Sequence, residues 1–301
     1  MHDARRERRL GLAYGVAAYG FWGVFPVYLK AVKTVPVLEV LSHRIVWALA
    51  VLLVITAVRG ELSEVAAALR HGRAVLVLSA STVMIAINWG VYIFSVSHSR
   101  LLESSLGYYI NPLVSVLFGV VLLGERLSPL TKAAVAAAAA GVAWLAFALG
   151  QLPWISLALA LSFGLYGLLR KIAPVGALIG LTVETLLLAP LAAADLGSSV
   201  AHGRSGFVSG GPGMKALLLL AGPVTAIPLL CFAAAARRLP LSTMGFLQYL
   251  SPTLQFLLAV AVFGEPFGRG RAGAFAFIWT AVALFAFDNV RRSAPEPALD
   301  T

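Results

Sequence analysis

Residues 101–123 read LLESSLGYYINPLVSVLFGVVLL, and 140 positions later residues 241–263 read LSTMGFLQYLSPTLQFLLAVAVF. Each stretch suffices to cross the roughly 30 Å hydrocarbon core of a bilayer, which takes a helix of about 20 residues. Tyr109-Ile110-Asn111-Pro112 falls on Tyr249-Leu250-Ser251-Pro252, and Gly124-Glu125 falls on Gly264-Glu265 at the same spacing. The preserved interval carries more weight than the few identities.

Outward from this pair lie eight further apolar segments: Leu10–Leu29, Pro36–Val58, Ala74–Val96, Pro129–Leu149, Pro153–Leu169, Gly176–Ala193, Met214–Ala235 and Ala272–Asp288. The chain is 60% hydrophobic and 12% charged, whereas soluble domains carry about 25% charge. So few charges cannot cover this much apolar surface in water. In lipid the backbone must satisfy its polar groups within each segment, which selects helices; the short alternating segments of a barrel are not seen. The expected fold is an all-α integral membrane protein of ten transmembrane helices. The Gly- and Ser-rich connection Ala194–Gly213 reads as a flexible exposed loop. The first segment reads as a span rather than a cleaved signal peptide.

Five spans per half is an odd number, so the second half enters the membrane from the opposite side. That predicts two inverted five-helix repeats, the architecture of many secondary transporters. The expected organisation is a basic N-terminus at 1–9, a first repeat at 10–150, a second at 151–289 and a tail at 290–301. The net charge is +10. Fifteen of the 23 Lys and Arg lie on the side of the two termini, seven on the other side, and Arg44 within a span. Positive residues stay inside, which puts both termini in the cytoplasm, their basic tails against anionic lipid rather than nucleic acid.

Tyr108, Asn111 and Ser115 share one helical face of span four, and the 140-residue shift carries them onto Gln248, Ser251 and Gln255. The matched stripes either line a cavity or join helices through hydrogen bonds worth about 0.6 kcal/mol each. Pro112 and Pro252 lie within the stripes, and each removes one backbone hydrogen bond. Asn88, Trp89 and Tyr92 of span three, with Tyr19 and Trp22 of span one, are candidates to stack on a flat substrate, although Trp and Tyr also gather at membrane interfaces. Arg44 and Glu184 occupy equivalent positions deep in spans two and seven, where a charge costs about 2.5–3.5 kcal/mol. They are expected to face a central cavity and to pair with each other, or to form a structural ion pair. Arg44 is the candidate for a substrate carboxylate. Glu184 or His43 is the candidate for a coupling proton, His43 because imidazole titrates near neutrality; a packed, hydrogen-bonded histidine is the alternative. Glu39 reads as interfacial, Arg100–Glu103 as a surface pair and Cys231 as a buried packing residue.

The sequence has no phosphate-binding loop, nucleophile elbow or histidine cluster, so it offers no catalytic residues, no metal ligands and no cofactor. The implied partners are a small-molecule substrate, membrane lipid and, if transport is coupled, a proton; the oligomeric state stays open. A non-enzyme is expected. The rivals are a passive facilitator of the same fold, a lipid-active membrane enzyme, and a membrane scaffold that transports nothing.

Residues 21–28 (FWGVFPVY), 42–47 (SHRIVW), 88–92 (NWGVY), 103–113 (ESSLGYYINPL), 181–185 (LTVET) and 248–253 (QYLSPT) resemble the RarD-type permeases of the EamA branch of the drug/metabolite transporter superfamily. The similarity spans about Leu10 to Asn289. It implies ten helices in two inverted repeats in the bacterial inner membrane. The implied function is secondary transport of small organic metabolites or drug-like molecules by alternating access; family members are commonly labelled chloramphenicol-sensitivity permeases. The resemblance brings no agreed binding residues.

Overall fold

A computed structural model describes residues 2–123, 127–236, 238–239 and 247–293. The elements run α1 (His2–Ala31), α2 (Val37–Val58), short α3 (Leu62–Arg70), α4 (Gly72–Ser97), α5 (Leu101–Leu123), α6 (Pro129–Leu149), α7 (Trp154–Ile172), α8 (Ala177–Ala201), one-turn α9 (Gly206–Ser209), α10 (Pro212–Ala236), α11 (Leu250–Leu257) and α12 (Arg269–Ser293). A π-helical turn, Leu258–Val262, extends α11. No strand occurs among the described residues. Helices α1, α2, α4, α6, α8, α10 and α12 are each long and apolar enough to span a bilayer, and α7 and the α11 segment are shorter apolar helices. Every expected span falls on a helix. Within span nine, residues 241–246 lie outside the described residues and a turn at Tyr249 precedes α11. Phe147 and Val58 are more than four-fifths exposed, which suits side chains facing acyl chains.

The expected flexible loop at Ala194–Gly213 is corrected. Helix α8 continues to Ala201, and Ser205 caps α9 by accepting from the Val208 N–H. Small polar residues suggested disorder, but carboxylates hold the segment from within. Asp195 accepts from Ser42 at 2.8 Å. Glu39 accepts from Ser205 Oγ at 3.0 Å, from the Gly206 N–H at 3.1 Å and from the Phe207 N–H at 3.3 Å. Glu39 is buried inside the protein, 1% exposed, with these donors rather than open to solvent.

Helix partners keep one pattern when the halves are exchanged. Helix α1 packs on α10 and α11 as α7 packs on α4 and α5, and α2, α5 and α6 pack on their own counterparts α8, α11 and α12. Each counterpart pair runs antiparallel. Ser42 meets Asp195 while Thr56 meets Thr182; Thr131 meets Asp288 while Trp144 meets the Gly270 carbonyl. Tyr109 stacks on its own counterpart Tyr249, with ring centroids 6.3 Å apart.

Small residues let these helices approach. A Cβ on Gly222 would stand 2.5 Å from the Trp47 carbonyl oxygen, whereas one on Gly167 meets nothing within 4 Å. The Trp47 atom is backbone and cannot swing aside, so Gly222→Ala is expected to destabilise by about 1–3 kcal/mol, the scale of overpacking. Gly167→Ala is expected to unfold like the parent. Thermal unfolding of the two purified variants checks both.

Candidate functional site

Helices α1, α2, α4 and α10 bring Arg44 into an aromatic box. Its guanidinium carbon lies 4.7 Å from the Trp89 ring and 4.9 Å from the Phe25 ring. Its Nε donates to Thr225 Oγ1 at 3.3 Å, and Nη1 has no partner. Arg44 is 6% exposed and forms no ion pair among the described residues. Tyr92 stacks on Phe25 and meets Tyr108 edge-on; its hydroxyl is buried without a partner. Tyr108 donates to Asn88 Oδ1 at 3.2 Å, and Asn88 Nδ2 donates to Ser162 and to the Leu159 carbonyl, both at 3.1 Å. Arg44, Asn88, Trp89, Tyr92 and Tyr108 thus lie in one connected cluster.

Glu184 lies elsewhere. Its carboxylate accepts from Ser81 Oγ at 2.5 Å and from Tyr166 OH at 3.2 Å, and stands 3.7 Å from Arg170 Nη1. The expected Arg44–Glu184 pair does not form. Antiparallel packing explains this: the α2–α8 register puts Glu184 opposite residue 53 or 54 of α2. At 1.5 Å per residue that is about 14 Å along the axis from Arg44. Sequence reading placed Arg170 among the loop charges, yet its guanidinium turns back along α8. It bonds the Gly176 and Ala177 carbonyls and occupies the place where a Cβ on Gly180 would fall.

The remaining residues form separate groups. Tyr19 and Trp22 pack edge to face, both against Phe232. Gln255 Nε2 donates to the Trp22 carbonyl and to Ser251 Oγ, both at 3.2 Å, and leaves Oε1 unpartnered. Asn111 is buried with Oδ1 unpartnered. Gln248 is half-buried, and the Ser115 side chain lies outside the described residues. The two stripes do not face each other directly. Helix α5 meets α11 through neighbouring positions: Ser105 donates to the Pro252 carbonyl, and Tyr109 bonds Thr253. His43, next to Arg44 in sequence but on another side of α2, accepts from Trp47 Nε1 at 3.1 Å, stands 3.9 Å from Glu39, packs on Phe207 and is remote from Glu184.

Two residues outside the site, Glu103 and Cys231, differ from expectation in burial. Arg100 grips Glu103 with two bonds, at 2.7 and 2.9 Å, but Glu103 is buried. Cys231 is only partly buried. Glu265 of the Gly-Glu turn is a buried cap that accepts from the Leu101 and Leu102 N–H groups at the start of α5. Phe25, Thr225, Ser81, Tyr166 and Arg170 escaped the sequence reading, because single polar or aromatic residues scattered over four helices leave no spacing signal.

The profile of the EamA-like transporter family matches residues 9–147, the first half of the chain. The uncharacterized transporter PA0485 of Pseudomonas aeruginosa is 48% identical over 98% of this chain and 99% of its own. The protein RarD of Escherichia coli is 41% identical over 96% and 97%. A chloramphenicol-sensitive protein RarD of Pseudomonas aeruginosa is 35% identical over 93% and 95%. A solved crystal structure at 21% identity superposes with a TM-score of 0.57 over 94% of this chain and 99% of that one, which shows a shared fold. With helices fit to cross a bilayer and full-length relatives at these identities, the chain belongs to the EamA-like transporters of the drug/metabolite superfamily, among the RarD-type proteins.

Proposed function

We propose that the protein is a secondary transporter of small organic solutes in the bacterial inner membrane, working by alternating access between two inverted repeats with both termini in the cytoplasm. The observation that carries this reading is a set of buried polar atoms without partners: Arg44 Nη1, Tyr92 OH, Asn111 Oδ1, Tyr249 OH and Gln255 Oε1. Leaving such atoms dry is costly. Two of them lie in the Arg44 box, and the other three lie on the counterpart segments of α5 and α11; such atoms support cavities that water or solute fills. The antiparallel counterpart pairs support the inversion. In that symmetry the α2–α8 midpoint falls near Ala48, with Arg44 about 7 Å to one side and Glu184 about 7 Å to the other at 1.5 Å per residue. Unlike charges at equivalent depths suit a substrate group on one side and a coupling proton on the other.

Purified protein reconstituted in liposomes tests the reading. Solute accumulation under an imposed pH gradient, with matching proton movement, is the expected result. Equilibration without accumulation would favour a passive facilitator. Labelling of single cysteines at the N-terminus and in the 150–153 connection from opposite sides is expected; labelling from one side would remove the inverted threading.

A further inference from the structure

Resting on that reading, we propose that the Arg44 box binds the carboxylate of a small organic monoanion whose apolar or planar body lies against the surrounding rings. Arg44 is a single buried positive charge, and its neighbours Trp89, Phe25, Tyr92, Tyr108 and Thr225 are all neutral groups: phenols ionise only near pH 10 in water. Among the described residues Arg44 is the one Lys or Arg that is buried; the half-buried Arg170 and Arg100 stand beside Glu184 and Glu103. Arg44 has none, so the missing negative charge has to come from outside the chain. A monocarboxylate neutralises one charge; a phosphate dianion would leave a surplus negative charge in a low-dielectric interior.

The geometry narrows the class further. Ring contacts occupy the guanidinium by cation–π attraction, so its hydrogen bonds are made in its own plane. Nε is used by Thr225 and Nη1 is free. A planar carboxylate fits such an in-plane donor. Tyr92 OH, also buried and unpartnered, is a second donor in the same box. The amide of the same acid presents a neutral oxygen and would leave the charge unpaired.

The test uses the full-length protein purified in detergent, with benzoate against benzamide and cyclohexanecarboxylate against its carboxamide. Inorganic phosphate is the anion control. Thermal unfolding is the readout, since a ligand that binds only the folded form raises apparent stability. The acids are expected to raise Tm at concentrations at least ten-fold below those at which the amides or phosphate do so. Arg44→Gln is expected to abolish this difference and Arg44→Lys to weaken it. Without any ligand, Arg44→Met is expected to have a higher Tm than the parent, because it removes a buried charge that lacks a partner. Equal responses to acid and amide, no response to either acid, a preference for phosphate, or a lower Tm for Arg44→Met would each overturn the proposal. A counterflow assay separates it from the transporter reading. Exchange of neutral solutes undisturbed by Arg44→Gln would leave a transporter and remove the anion site. Acid binding through Arg44 with no solute exchange in wild-type vesicles would retain the site and remove the transporter.

Discussion

Glu184→Gln is expected to abolish uptake driven by a pH gradient while leaving solute exchange across the membrane intact. The carboxylate is 1% exposed and receives Ser81, Tyr166 and Arg170. Glutamine keeps the size of the side chain and one acceptor oxygen but cannot take up or release a proton. A carrier in which Glu184 moves the coupling proton then loses accumulation, to the equilibrium ratio, without losing the conformational cycle. Arg170 Nη1 stands 3.7 Å from this carboxylate and is the cation nearest to it among the described ion pairs. Its position depends on the bare surface of Gly180, where a Cβ would overlap the guanidinium. Gly180→Ala should therefore displace Arg170 and, in such a carrier, change the pH profile of transport. Gradient-driven uptake by Glu184→Gln equal to the parent would clear Glu184 of the role. A pH profile unmoved in Gly180→Ala would clear Arg170.

How far the sequence disclosed this arrangement depended on the range of the signal. Helices appeared because each must satisfy its own backbone within some twenty apolar residues, a local demand that composition records. The Tyr109–Tyr249 stack joins two residues that the 140-residue shift aligns, because both lie where α5 crosses the segment leading into α11. Side-chain pairing was another matter. Arg44 and Glu184 invited pairing by equivalence alone, and the antiparallel register that separates them is invisible until helices are packed. Arg170 shows the same limit from the other side: a cation at the end of an apolar run reads as a loop charge. Only the neighbouring helix, stripped to Gly180, lets it fold back. Glu39 misled for a similar reason, its acceptors being spent on a backbone more than 160 residues away.

That carboxylate leads to the second large effect. Glu39 fastens α9, which belongs to the second half, to α2 of the first, and Phe207 of the same segment covers His43. The position equivalent to Glu39 is Ile179, which clusters with Val65 and Ala68 of α3, the short helix of the opposite connection. The two ends of the bundle are thus closed by unlike latches across the halves, one apolar and one built on charge-assisted bonds. Such bonds contribute about 1.5–3 kcal/mol each, and they vanish when the latch opens and water reaches the freed N–H groups. Glu39→Gln replaces one carboxylate oxygen by an NH2 that faces an N–H donor, so it should weaken closure at the α9 end by about 2–3 kcal/mol, on that scale. A shift of that size changes the population open at the α9 end by roughly thirty- to a hundred-and-sixty-fold. With Cys231 replaced by alanine and a cysteine placed at Phe207, labelling by a membrane-impermeant maleimide should rise at least ten-fold in Glu39→Gln. If the bundle works by alternating access, a cysteine at Val65, under the apolar latch, should label no faster or more slowly, because opening one end then closes the other. Equal labelling of both sites with and without Glu39 would mean that α9 is held by packing alone and that closure at its end does not depend on the carboxylate.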